Sequence, residues 1–268
     1  MSQPARPILC GVIHLPALPG APRASLSATE CARLAAADAR ALDAAGFDAI
    51  IVENFGDAPF FATKVPPITV AAMTACAIAV RDAAPSRALG VNVLRNDAEA
   101  ALSVAVASGA AFVRINVHIG ARVTDQGVIQ GDAATPLRLR RALGGDDVAV
   151  WGDVDVKHSA PLGPPRPIAQ EVEDLVKRGG AAAVLVTGEG TGKGVDLEKL
   201  SAVKRAARAS SAPVLVASGA TSDTLPALAS VADGVIVGTA LRKGYVPGGA
   251  IDGELAKEFA GAFRASFR

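Results

Sequence analysis

Short apolar stretches alternate with alanine-rich ones along the whole chain, and this rhythm restricts the fold more than any single motif. Strands are expected at Ile8–His14, Ala49–Glu53, 89–94, 112–117, 148–156, 183–187, 214–217 and Gly234–Val237, where Val, Ile and Leu cluster. Helices are expected at Ala28–Ala45, 69–84, 97–108, 135–143, 168–178, 197–209, 224–230 and 253–264. Asp97 and Asp196 stand where a side chain can cap a helix start. Gly46, Gly109 and Gly179 follow helix ends, where a left-handed cap favours glycine. The 268 residues match the roughly 250 of one eight-unit barrel. Eight βα units without a break in composition predict an α/β fold, a single (β/α)8 TIM barrel spanning residues 1–268. The rival, an open doubly wound sheet, would carry a glycine-rich phosphate loop after its first strand. That position holds His14-Leu15-Pro16-Ala17-Leu18-Pro19-Gly20, whose two prolines remove N–H donors.

The clean phosphate-type turns lie late instead. The strand at 214–217 ends in Ser218-Gly219-Ala220-Thr221, and the next ends in Gly238-Thr239. Barrels of this class build phosphate sites from the loops after their last two strands. Ser218, Gly219, Gly238 and Thr239 are therefore the expected phosphate-binding residues.

Barrel active sites sit at the C-terminal strand ends. In the fifth strand Trp151, Asp153, Asp155 and Lys157 occupy alternate positions, so an unbroken strand points them all one way. Lys157, Asp153, Asp155 and Glu53, the last ending the second strand, are the expected catalytic residues. Asp153 and Asp155 are also the candidate pair for Mg²⁺ alongside a substrate phosphate. The competing reading is a structural Asp–Lys pair plugging the barrel. Arg114 is read as a partner for an internal acid such as Asp153. Candidate substrate-binding residues are His14, Asn92, Arg95, Asn116, Asp125 and His158, all at or just beyond strand ends. Lys193, in the glycine-rich stretch Thr187–Gly194, joins them as a cation on a flap. That stretch is no Walker loop, because only three residues separate Gly188 from Gly192-Lys193 and Gly194 follows. The long segments 55–67 and 118–134 are candidate lids.

Composition narrows the function classes. The net charge is +1, with no long basic block, and aromatics make up 4%, which argues against a nucleic-acid partner. No apolar run approaches the roughly 18 residues of a membrane span. The N-terminal residues show no secretory signal. Three cysteines without metal-type spacing fit a reduced, cytoplasmic setting. Alanine-rich helices allow close packing between copies, so a homo-oligomer is expected.

Several segments then combine into a family likeness: GVIHLPALPGAPR (11–23), AIIVENFGDAPFF (49–61), VPPITVAAMT (65–74), GVNVLRND (90–97), RINVHIGARVTDQGVIQGDA (114–133), DVDVKHSAPLG (153–163) and VTGEGTGKGVDL (186–197). Together they resemble the BtpA family, which includes the SgcQ-like proteins, over nearly the whole chain. The resemblance implies a phosphate-binding TIM barrel. Its cyanobacterial members are linked to photosystem I accumulation and associate peripherally with the thylakoid membrane. Its SgcQ-like members are encoded with sugar-transport and sugar-phosphate functions. The expectation is an enzyme (lyase, isomerase or glycosidic hydrolase) acting on a phosphorylated small molecule, a sugar phosphate or nucleotide-derived compound. The alternative is a non-catalytic assembly or regulatory factor.

Overall fold

The computed structural model describes residues 6–188 and 194–267. Eight parallel strands close a barrel: β1 (Ile8–His14), β2 (Ala49–Glu53), β3 (Ala88–Asn92), β4 (Phe112–Ile115), β7 (Ala149–Val154), β9 (Ala183–Val186), β10 (Val214–Val216) and β11 (Gly234–Val237). They pair in chain order, and β11 returns to β1 with Ile8 opposite Gly234. Helices α1 (Ala28–Ala45), α2 (Pro67–Ala83), α3 (Ala98–Ser108), α4 (Ala134–Ala142), α5 (Ile168–Glu173), α6 (Leu197–Ala207), α7 (Leu225–Ala229) and α8 (Gly253–Ser266) separate the strands and follow the last. This is the expected (β/α)8 architecture.

Strand alternation creates two cores. Cys10, Val12, Ile51, Phe112, Trp151, Leu185, Leu215 and Ile236 fill the barrel interior. There Phe112 and Trp151 stack at 3.8 Å. Their neighbours along the same strands, such as Leu9, Ile13, Ile50, Val113, Val150, Val184 and Val235, pack outward under the helices. The interior layers close the barrel floor, so a ligand can enter only above them.

Local chemistry explains the helix ends. Ser27 and Glu30 form a reciprocal capping box at α1. Asp97 and Asp196 cap α3 and α6 as their positions predict. Gly46 and Gly109 take positive φ, of 78° and 71°. Gly179 does not: Gly180 takes the left-handed turn, with φ 64°. The helix before it widens into a π-turn over Asp174–Arg178, which moves the turn one residue along.

Two features depart from the expected pattern. The strands β3, β4 and β7 stop two residues early, so residues 93–94, 116–117 and 155–156 lie beyond the ladder. In addition, β5 (Ala121–Thr124), β6 (Gly127–Gln130) and β8 (Ser159–Pro161) form a separate antiparallel sheet in the order β6-β5-β8. The segment 118–134 is thus a hairpin outside the barrel ladder. Val123 opposite Val128 and Ala160 sets its register.

Candidate active site at the barrel mouth

A cavity of about 390 Å³ opens above the interior core at the C-terminal strand ends. One wall is backbone. Ser218, Gly219, Ala220 and Thr221 follow β10, and Gly238, Thr239 and Ala240 follow β11. Gly219 has φ 79°, a conformation that L side chains rarely adopt, and this lets the turn fold back over the strand end. After β11, Leu241 and Arg242 donate to the carbonyls of Gly238 and Thr239, closing a single 3₁₀ turn. The first N–H groups of such a turn have no partner within it. Arg242 braces this wall from behind. It is 1% exposed, and its guanidinium donates to the carbonyls of Gly249 (2.7 Å), Val12 (2.9 Å) and Gly238.

The opposite wall is made of side chains from β1, β2, β4 and β7: His14, Glu53, Arg114, Asn116 and Lys157, with Arg95 beyond β3. Asp153 anchors them from below. Its carboxylate accepts from Arg114 at 3.1 and 2.9 Å and from Asn116 at 2.7 Å, and its side chain is fully buried. Asn92 extends the network, donating to the Arg114 carbonyl (3.0 Å) and to Asn116 Oδ1 (3.3 Å). Burial opposes the charge on Arg114, but Asp153 holds its pKa above the ordinary value. Three cations, Arg95, Arg114 and Lys157, face two carboxylates, Glu53 and Asp153, which leaves one positive charge in excess at the site.

Burial shifts two titratable groups at the mouth. Burial pulls the Lys157 amine below its ordinary range, Glu53 opposes that pull, and Arg114 adds to it. Burial, reinforced by Arg242, Lys157 and Arg114, pushes His14 well below the usual imidazole value, so the ring is neutral near pH 7. His14 Nδ1 accepts the Gly248 N–H at 3.2 Å. A backbone N–H can only donate, so the neutral ring carries its proton on Nε2. That nitrogen lies 3.9 Å from Glu53 Oε1. Phe55 stacks on the imidazole at 4.3 Å and holds its plane. The mouth therefore offers an amine with a weakened hold on its proton, a neutral N–H donor and a carboxylate.

Of the residues expected from sequence, Lys157, Glu53, His14, Arg95, Asn116, His158, Ser218, Gly219, Gly238 and Thr239 meet around this one cavity. Asn92 and Asp153 lie beneath it as supports. Asp125 lies at the β5–β6 turn and borders an outer crevice. Lys193 falls outside the described residues. Asp155 corrects the expectation of an unbroken strand face. The ladder ends at Val154, and Asp155 takes φ 51°, turning its carboxylate to a second cleft, where Arg122 and Lys199 bind it. Asp153 and Asp155 therefore do not share one strand face as the sequence pattern predicts. Each carboxylate is already held by its own cations and points to different partners. Among the described residues no cluster of three His, Cys, Asp or Glu side chains is arranged for a metal.

Sequence reasoning missed Phe55, Phe60 and Tyr245, which line the cavity from loops, and the buried brace Arg242. Phe55 and Phe60 fall in a segment read only as a lid. Arg242 follows a strand end by five residues, a spacing that carries no signal without the turn geometry.

The sequence model of the BtpA family matches residues 5–265. The chain belongs to the BtpA family. A relative from Synechocystis, the photosystem I biogenesis protein BtpA, is 42% identical over 233 residues, which cover 87% of this chain and 79% of the relative. Among solved structures, this BtpA-family chain is similar to thiamine phosphate pyrophosphorylase from Pyrococcus furiosus, with TM-score 0.62, 13% identity and coverage of 97% and 98%. It is also similar to 3-hexulose-6-phosphate synthase, with TM-score 0.58, 19% identity and coverage of 97% and 100%. At such identities these likenesses bear on the fold alone. Among the described residues no helix is long and apolar enough to cross a membrane.

Proposed function

We propose that this BtpA-family protein is an enzyme that binds a phosphorylated small molecule at the barrel mouth and moves a proton on it. The observation that carries this reading is one cavity shared by the Ser218-Gly219 and Gly238-Thr239 turns and by Lys157, Glu53 and His14. Backbone N–H groups of the turns hold the phosphate, because oriented amide dipoles compensate its charge. When Lys157 is protonated, its charge adds to the attraction. Lys157 serves as base or, once protonated, as acid, and the His14 Nε2–H stabilises negative charge developing on a substrate oxygen. The names of the two fold neighbours each contain a phosphorylated compound.

The test is a thermal-shift screen of phosphorylated sugars and nucleotides against their unphosphorylated counterparts. A ligand of the native state must raise the melting temperature. Phosphorylated compounds are expected to do so selectively, and Lys157→Ala is expected to abolish turnover of any hit while retaining binding. Full turnover by Lys157→Ala would overturn the catalytic assignment.

A second reading follows from the name of the Synechocystis relative: an assembly factor that keeps the pocket as a sensor. It predicts partner capture that persists when Lys157, Glu53 and His14 are all replaced.

A further inference from the structure

The mouth continues past Lys157 into an outer crevice bordered by Phe60, Arg95, Asp125, Gln126 and His158. Phe60, Arg95 and His158 border both spaces, so the two are contiguous. We propose that this crevice is a second subsite for a flat, nitrogen-bearing ring, and that the phosphorylated ligand is of nucleotide type rather than a bare sugar phosphate. The proposal rests on the phosphate assignment above and deepens it.

Four observations carry it. First, the crevice is built as one unit by Arg95. Its backbone N–H donates to the Phe61 carbonyl at 3.3 Å, and its guanidinium donates to the Lys157 carbonyl at 2.8 Å. One residue thus joins the Phe60 loop to the strand end that carries His158. Arg95 is itself 6% exposed, and its buried Nε has no hydrogen-bond partner among the described residues. Second, flat faces border the crevice. The Phe60 ring, the His158 ring and the Arg95 guanidinium line it, and Phe55 and Tyr245 line the adjoining mouth. A polyol against such faces would lose hydrogen bonds to water without replacing them, whereas a ring stacks on aromatic and guanidinium planes. Third, the polar groups of the crevice stand at its far edge. Asp125 and Gln126 form the turn between β5 and β6, and Gln126 Nε2 donates to the Asp125 carboxylate. A carboxylate and an amide side by side can read the donors and acceptors on a ring edge. Fourth, His158, which borders both spaces, holds a left-handed backbone conformation with φ 56°, and Tyr245 on the adjoining mouth does so with φ 55°. Non-glycine residues adopt this region only at an energetic cost. Tyr245 is also 65% exposed, an open aromatic face at the entrance.

The test compares binding of ribose 5-phosphate, adenosine 5′-monophosphate, uridine 5′-monophosphate and the two unphosphorylated nucleosides by calorimetry, with wild-type protein and with Phe60→Ala and Asp125→Asn. At least one nucleotide is expected to bind roughly tenfold or more tightly than ribose 5-phosphate, in line with the strength of base stacking. Phe60→Ala is expected to remove that advantage, lowering nucleotide affinity about tenfold more than ribose 5-phosphate affinity. Asp125→Asn is expected to change the preference between the two bases. Equal affinity for ribose 5-phosphate and both nucleotides, unaltered by Phe60→Ala, overturns the ring subsite and leaves the phosphate assignment standing. Binding of nucleosides as tight as that of nucleotides overturns the phosphate assignment instead. No binding by any of the five compounds overturns both.

Discussion

The two walls of the mouth are built from different materials. Beyond β10 and β11 the wall is main chain, shaped by Gly219 and Gly238 and braced by a buried arginine. Beyond β1, β2, β4 and β7 it is side chains held by a carboxylate beneath them. The contrast is sharpest within the second wall itself. Asp153 and Asp155 are two residues apart, yet Asp153 is sealed under Arg114 and Asn116 while Asp155 faces another cleft. A backbone wall depends on which residues permit a turn. A side-chain wall depends on where the strand stops, because alternation holds only while the ladder continues.

Replacing the two aspartates tests this most severely. Asp153→Ala strands the Arg114 guanidinium in the interior and is expected to destabilise the protein by about 3–5 kcal/mol, as for a broken buried pair. The denaturant midpoint measures it, and a loss under about 1 kcal/mol would mean that water or another group compensates Arg114. Gly219→Ala probes the backbone wall. It places a side-chain residue at φ 79° and is expected to cost roughly 1–2 kcal/mol, together with weaker binding of phosphorylated ligands. Wild-type ligand affinity in that variant would move the phosphate away from this turn.

The pH response separates the walls differently. His14 titrates near 6.5 when unfolded and well below that when folded. Above this value neither state binds the proton, so the residue adds no pH dependence. As pH falls through it, the unfolded chain gains a proton that the folded chain refuses, and stability declines. His118 and His158 are shifted the same way by burial, so three residues contribute. Between about pH 7 and pH 5 the wild type is therefore expected to lose more stability than His14→Gln, compared by chemical denaturation. Identical pH profiles would show that His14 is not held neutral by its surroundings. The smallest effect is expected from Asp155→Ala. Its side chain is 39% exposed, against 0% for Asp153, so although Arg122 is buried the loss is expected to stay below that of Asp153→Ala. A loss comparable to that of Asp153→Ala would erase the distinction between the two carboxylates.

Much of this was legible in the chain. The barrel was readable because each strand carries its own apolar run and each helix its own cap, as with Ser27-Glu30 and Asp97. The two turns of the backbone wall were readable because Ser218-Gly219 and Gly238-Thr239 sit immediately after strands. Arg114 as a partner for Asp153 was readable from two inward positions on neighbouring strands. The small sheet β6-β5-β8 was not, since its β5–β8 pairing joins residues 37 positions apart, such as Val123 and Ala160. Nor were Phe55, Phe60 and Tyr245, whose loops have no periodicity from which a direction follows.

By itself, then, the sequence determined the number and order of βα units, the face on which a site can form and the chemical types present there. Those properties follow from local rules: periodicity of two or 3.6 residues, caps and turn residues. The tertiary structure alone decided where β7 ends, and hence that Lys157 faces the cavity while Asp155 does not. It also decided that His14 is neutral with its proton on Nε2, and that Arg95 ties two loops into one crevice. Each of these depends on burial and on partners distant in the chain, which no local pattern encodes.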